Sequence, residues 1–165
     1  EAALNVLGEG SVLSLEHLWN QVRVQGGAYG TGMVVRDRGF GGFYAYRDPT
    51  AARTLGCFAA SAQYLRQMVG EDLTGRIIGT VAESEPVLTA RLLGKAADGL
   101  YWRGITQADR CRLRRETLQT TDRELAALAD ALDEMGKAAS VCVVGSRTQL
   151  EQCGELLEEI GTLGV

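Results

Sequence analysis

The chain has 165 residues, 45% hydrophobic and 23% charged, with a formal net charge of −4. That length suits one domain with a real core, and the acidic balance excludes a general affinity for nucleic-acid phosphates. No apolar run is long enough to span a bilayer, and no basic-then-apolar leader opens the chain, so no membrane partner is expected. The chain opens on Glu1 rather than Met, as an excised or processed piece would.

Apolar residues Leu4, Leu7, Val12 and Leu13 open the chain, with Gly8 and Gly10 weakening a helix there. Ser14 reads as an N-cap, with Glu16 in the first turn of the next helix. Leu15, Leu18, Trp19 and Val22 repeat at helical spacing, and the helix is expected to stop near Gly26. Residues 28–47 read as a hairpin, its strand-formers being Val34, Val35, Phe43, Tyr44 and Tyr46, with turn chemistry at Asp37–Gly39. Asp48 before Pro49 is a plausible N-cap for a helix from Thr50 to about Met68, with Leu55, Phe58, Ala62 and Leu65 on one face. Further helices are expected at about 72–83 and 87–102. Thr106 with Asp109, and Thr121 with Glu124, have capping-box spacing ahead of two more. "AASVCVVG" reads as a buried strand at about 139–145, and a last acidic helix as 148–160.

The order predicts an α+β fold: a small antiparallel sheet, made of the hairpin and the strand at 139–145, packed with several helices. Three strands are few for so much helix, which fits a partial domain whose sheet lacks strands preceding Glu1. Cys57, Cys111, Cys142 and Cys153 form no C-x-x-C pair, and His17 is the only histidine. The thiols read as small buried hydrophobes in a reducing compartment, with a cytoplasmic location expected; connectivity is not readable from sequence, so a disulfide stays open.

Four glycines fall within "GGAYGTG", residues 26–32. A phosphate loop needs strand, glycines, then helix. Here the order is helix, glycines, strand, and no Gly-Lys-Ser/Thr follows, so nucleotide binding is set aside. A nucleophile–histidine set is available only through His17, which nothing in the sequence pairs with Ser or Cys; a surface or capping histidine is expected. Arg23 and Tyr29 remain, with two readings. Arg23 complements the helix dipole and Tyr29 simply packs. Alternatively, Arg23's donor fork and Tyr29's hydroxyl meet one extended peptide backbone, and the glycines clear space for it.

"LWNQVRVQGGAYGTG", then "FYAYRDP", "LTGRIIGT", "GIT" and "LRRETLQTT", resembles the C-terminal domain of the presequence protease branch of the pitrilysin/insulinase zinc metallopeptidases, over about residues 4–145. The resemblance implies four homologous α+β domains in two halves around a closed chamber. Zinc is expected in the N-terminal domain, on its H-x-x-E-H motif and a distant glutamate. This chain has no such motif. By resemblance it is therefore not an enzyme alone and has no metal or cofactor of its own, while the parent is a zinc metalloendopeptidase. Arg23 and Tyr29 would be the substrate-binding residues, reaching across the chamber to the substrate near the zinc. The partners implied are unfolded peptide substrate and the N-terminal catalytic half of the same polypeptide. Self-association through an unpaired sheet edge is also expected. The alternative is a structural or interaction domain of a catalytically inactive relative.

Overall fold

The computed structural model describes residues 12–36 and 40–162. The expectations for Leu4, Leu7, Gly8, Gly10 and the turn Asp37–Gly39 lie outside the described residues. The elements run α1 (Val12–Val24), β1 (Gly30–Arg36), β2 (Phe40–Tyr46), α2 (Ala51–Ala59), α3 (Ser61–Gln67), α4 (Thr74–Ser84), α5 (Ala90–Arg103), α6 (Gln107–Leu118), α7 (Asp122–Ala138) and α8 (Arg147–Cys153), followed by a short 3-10 turn at Gly154–Leu156. The fold is α+β, helices around a two-stranded antiparallel hairpin.

Helix α1 is wound with i→i+5 hydrogen bonding, and the last such bond runs from Gln25 N–H to the Asn20 carbonyl at 3.0 Å. This wide winding changes which residues share a face. Leu13, Leu18 and Val22, spaced five and then four apart, are fully buried, whereas Leu15 and Trp19 are exposed. The 3.6-residue reading of Leu15, Leu18, Trp19 and Val22 is therefore half right. Ser14 is not a cap but lies inside the helix, and its hydroxyl accepts from the Met33 N–H at 3.1 Å, tying α1 to β1.

Two apolar clusters follow. The larger joins Val12 and Leu13 of α1, Met33 of β1, Ala62 and Leu65 of α3, and Leu125, Leu128, Ala129 and Leu132 of α7. The smaller gathers Leu18, Val22 and Ala28 against Phe43, Ala45, Cys57 and Phe58. Phe43 belongs to both and stacks on Phe58 with ring centroids 5.0 Å apart. Outside the core, Arg66 of α3 spans Asp130 and Asp133, one helical turn apart on α7, at 2.8 and 2.6 Å.

Register fixes the hairpin's two faces. Met33 opposite Phe43 points to the core, while Gly30 opposite Tyr46 and Gly32 opposite Tyr44 form the outer face. The glycines of the track then have separate duties. A Cβ at Gly26 would run into the Val22 carbonyl and lie 2.7 Å from the Arg53 guanidinium. Gly27 sits at φ +81°, the left-handed turn that ends α1. A Cβ at Gly32 would lie 3.0 Å from the Tyr44 ring, which already covers that glycine, whereas Gly30 faces open space.

The helix read as 50–68 is two helices, broken at Ala60. Both expected capping boxes form. Asp109 accepts from the Thr106 N–H at 2.9 Å while Thr106's hydroxyl accepts from Asp109's N–H, and Glu124 accepts from the Thr121 N–H at 2.9 Å. A third, Ser146 with Gln149, opens α8; the S-x-x-Q spacing carried that signal and was missed.

The strand at 139–145 is a correction. The segment leaves α7 in extended conformation at Ala139, yet it joins no ladder, and the sheet holds only β1 and β2. An extended run becomes a strand only by hydrogen-bonding to a neighbour, and none lies alongside it among the described residues. Val141 and Val144 are consequently exposed. The cysteine reading also needs amending: all four are free, but only Cys153 is buried, Cys57 is half-buried, and Cys111 and Cys142 are exposed. The apolar stripe of α5 is similarly uncovered, with no buried residue and Tyr101 and Trp102 at 77% and 82% exposure.

Leu65→Ala, which empties the α1–α3–α7 core, is expected to cost about 3 kcal/mol. In a thermal melt that lowers Tm by roughly 6–12 °C for a chain of this size. Leu118→Ala, on an exposed site, should stay within about 0.5 kcal/mol; equal losses would contradict the core assignment. In the glycine track, Gly26→Ala should cost about 2 kcal/mol through forced overpacking. Gly30→Ala should be neutral or stabilising by up to about 1 kcal/mol, and urea titration of the two variants checks the order.

Candidate functional site

The residues from Arg23 to Tyr29 make one tight reversal between α1 and β1. Gly27 N–H donates to the Arg23 carbonyl at 3.0 Å, and Ala28 N–H to the Val22 carbonyl at 3.2 Å. Arg53 of α2 adds a guanidinium donor to the Gln21 carbonyl at 2.5 Å, satisfying one of the acceptors left over at a helix C-terminus. Arg23 and Tyr29 each follow one member of the bonded Val22–Ala28 pair, so both side chains leave the backbone at the same corner.

The second half of the corner comes from "YRDP". Tyr29 N–H is shared between the Tyr46 carbonyl at 3.1 Å and the Arg47 carbonyl at 3.4 Å. That convergence requires the chain to kink at Arg47, whose φ of +49° is left-handed. Asp48 then turns the chain toward α2, accepting from the Thr50 N–H at 2.8 Å, but it is not the expected N-cap: that position falls two residues later, on Thr50, whose side chain makes no capping bond. Its other carboxylate oxygen is buried without a hydrogen-bond partner among the described residues. Pro49 closes the corner, its ring lying 3.4 Å from where a Cβ on Gly27 would sit. The glycine block and the "YRDP" block are thus two sides of one structure.

The side chains at this corner stand mostly in solvent. Tyr29 is 65% exposed and meets the Tyr46 ring edge-to-face at 6.1 Å. The Arg47 guanidinium lies 5.7 Å from the Tyr29 ring centroid and 5.5 Å from that of Tyr46. Arg23 lies 3.8 Å above the Trp19 ring, a cation–π distance. The two sequence-predicted residues therefore share a corner but rest on different aromatic partners, and no hydrogen bond or ring contact joins them. Trp19, Tyr46 and Arg47 were not singled out from sequence. "YRDP" was visible there but read as the end of a strand, because a left-handed arginine leaves no compositional mark.

His17 lies elsewhere, half-buried, and meets the capping expectation, reaching a carbonyl in the last turn of α2. Its ring stacks on Tyr64 with centroids 4.6 Å apart, and Nε2–H donates to the Cys57 carbonyl at 3.1 Å. The bond goes to Cys57's backbone and not its thiol, so no nucleophile–base pair forms there. Beside it, Arg76 grips Glu16 bidentately at 2.8 and 3.0 Å, and Tyr64 donates to the same carboxylate at 3.2 Å. Burial pushes the Tyr64 phenol above its ordinary pKa and the Glu16 charge adds to the rise; the Glu16 hydrogen bond likewise raises Arg76. This group joins α1 to α3 and α4 and has the partners of a structural brace. No group of three or more His, Cys, Asp or Glu among the described residues is placed to hold a metal ion.

The profile of the PreP C-terminal domain matches residues 8–147. "Protein HypA" of Clostridium perfringens is 28% identical over 152 residues, 91% of this chain and 16% of that protein. "Presequence protease 1, chloroplastic/mitochondrial" of Arabidopsis thaliana is 31% identical over 138 residues, 81% of this chain and 13% of that protein. "Presequence protease, mitochondrial" of Xenopus tropicalis is 37% identical over 76 residues, 42% of this chain and 7% of that protein. The chain thus spans only a small fraction of the length of these relatives. No helix among the described residues is long and apolar enough to cross a membrane. With the match covering α1, the hairpin and every helix through α7, the chain belongs to the PreP C-terminal domain family, within a family of peptidases.

Proposed function

We propose that this chain is the substrate-binding, non-catalytic C-terminal domain of a zinc metallopeptidase that degrades unfolded peptides inside a closed chamber. The observation that carries the reading is the corner itself. Tyr29 stands in solvent on a backbone pinned from two sides, and Arg23 leaves the same turn. A fixed backbone with exposed donors suits a ligand that arrives as an extended chain. The Tyr29 hydroxyl and the Arg23 fork offer hydrogen bonds to peptide carbonyl oxygens, which every peptide presents, so recognition is loose in sequence. Arg23 leaves Trp19 and swings toward the substrate at a modest cost, since an exposed cation–π contact is weak.

Held this way, a peptide is oriented before reaction, and donors aimed at a carbonyl oxygen stabilise charge as it develops there. No step at a metal is derived from this chain's residues. The catalytic half of the same polypeptide, with its zinc, is the partner this proposal requires. Relatives named as presequence proteases support it. The four free thiols favour a reducing compartment, in keeping with the cytoplasm. Gly30, the one glycine of the track with open space beside it, is where a peptide backbone approaches most closely.

In the full-length gene product, Tyr29→Phe and Arg23→Ala are each expected to cut kcat/KM for peptide hydrolysis by roughly ten-fold or more, the scale of a lost transition-state donor. Unchanged values in both variants, measured with proteins of unaltered Tm, would contradict the proposal.

A further inference from the structure

Among the described residues Arg47 is the one non-glycine residue in the left-handed region, at φ +49°. An L side chain there is strained, and glycine would make the same turn at less cost. Strain of this kind persists where the side chain has a use. The use is not internal. Arg66, Arg76, Arg112 and Arg114 all pair with carboxylates, but Arg47 makes no ion pair among the described residues. Its guanidinium instead rests near the Tyr29 and Tyr46 rings, at 5.7 and 5.5 Å, with both rings largely in solvent. The rings hold the planar group without consuming its five N–H donors.

Charge around the corner points the same way. The chain as a whole is acidic, at −4, yet Arg23, Arg47 and Arg53 gather at the end of α1 and the hairpin, with Asp48 the neighbouring acid. Arg53 is committed to the Gln21 carbonyl, whereas Arg23 and Arg47 rest on rings with their N–H donors open, and of the two it is Arg47 that stands beside the Tyr29 ring. A planar fork with free N–H groups matches a carboxylate bidentately better than any other group a peptide carries.

We infer that Arg47, held on the Tyr29–Tyr46 ledge, binds a carboxylate of the peptide substrate. The inference rests on the substrate-binding reading of this corner and adds a charged subsite to it. The carboxylate belongs either to the peptide's C-terminus or to an Asp or Glu side chain, and the two are separable by experiment.

The test is a binding measurement with the full-length gene product, by fluorescence anisotropy of a labelled unstructured peptide. One arm compares the free C-terminus with its carboxamide, and the other compares internal Asp and Glu with Asn and Gln. In the wild-type protein one arm is expected to weaken binding about ten-fold, and that arm names the source of the carboxylate. In Arg47→Gly and Arg47→Gln the same change in the peptide is expected to have no effect. Arg47→Gly should melt at or above the wild-type Tm, because glycine relieves the strain, so lost discrimination cannot be put down to misfolding. Absence of any carboxylate preference in the wild type, or a preference that survives both substitutions, would overturn the subsite. Arg23→Ala and Tyr29→Phe should weaken binding of all peptide forms alike. If they do while the preference survives without Arg47, the subsite alone fails; if they leave binding unchanged, the substrate-binding reading fails with it.

Discussion

The backbone N–H of Tyr29 is accepted by two carbonyls at once, those of Tyr46 and Arg47. Together with the Ala28-to-Val22 bond it fastens the end of α1, the start of β1 and the exit of β2 into one joint. The hairpin's register extends from this joint, with Gly30 opposite Tyr46 and each later pair following in step. Register in turn decides which face is buried, because side chains alternate along a strand. Met33 and Phe43 go inward to the core, and Tyr44 and Tyr46 are left on the surface beside Tyr29. A one-residue slip would bury the tyrosines and expose Met33.

Packing reinforces the joint from below. The wide winding of α1 turns Leu13, Leu18 and Val22 toward the same side, and they divide between two clusters bridged by Phe43. The Glu16–Arg76 pair and Arg66 with its two aspartates tie α1, α3, α4 and α7 across the surface of the larger cluster. The corner thus combines a rigid base with exposed tips, which is what a binding site needs if order is not to be established anew for every ligand. The left-handed Arg47 lies there as well, next to an Asp48 carboxylate oxygen that has no hydrogen-bond partner among the described residues. By contrast α5 contributes nothing to the core and presents Leu92, Leu93, Tyr101 and Trp102 outward.

Much of this was written in the sequence as local signals. Capping boxes at Thr106 and Thr121 depend on side chains three residues apart, and both formed as read. The hairpin came from similarly short-range patterns, whereas the helix read from Val87 starts at Ala90 and the one read as 148–160 stops at Cys153. The failures share a different cause. The face of α1 was misread because a 3.6-residue period was assumed for a helix wound with i→i+5 bonds. The strand at 139–145 was misread because an apolar run says nothing about whether a neighbour exists to pair with it. At the proposed site, Arg23 and Tyr29 were singled out through their spacing and their family resemblance, and the fold brings them to one corner. Arg47 was hidden, since its distinguishing property is a backbone angle imposed by the joint with Tyr29, which the intervening chain makes only once it folds.

The central claim is that the Arg23–Tyr29–Arg47 corner touches peptide. Photocrosslinking tests it most directly, using the full-length gene product and an unfolded peptide carrying a benzophenone side chain, with adducts mapped by mass spectrometry. The account predicts saturable adducts within residues 19–32 and 44–47, lost on competition with unlabelled peptide. Saturable adducts that map wholly outside those two segments would contradict it.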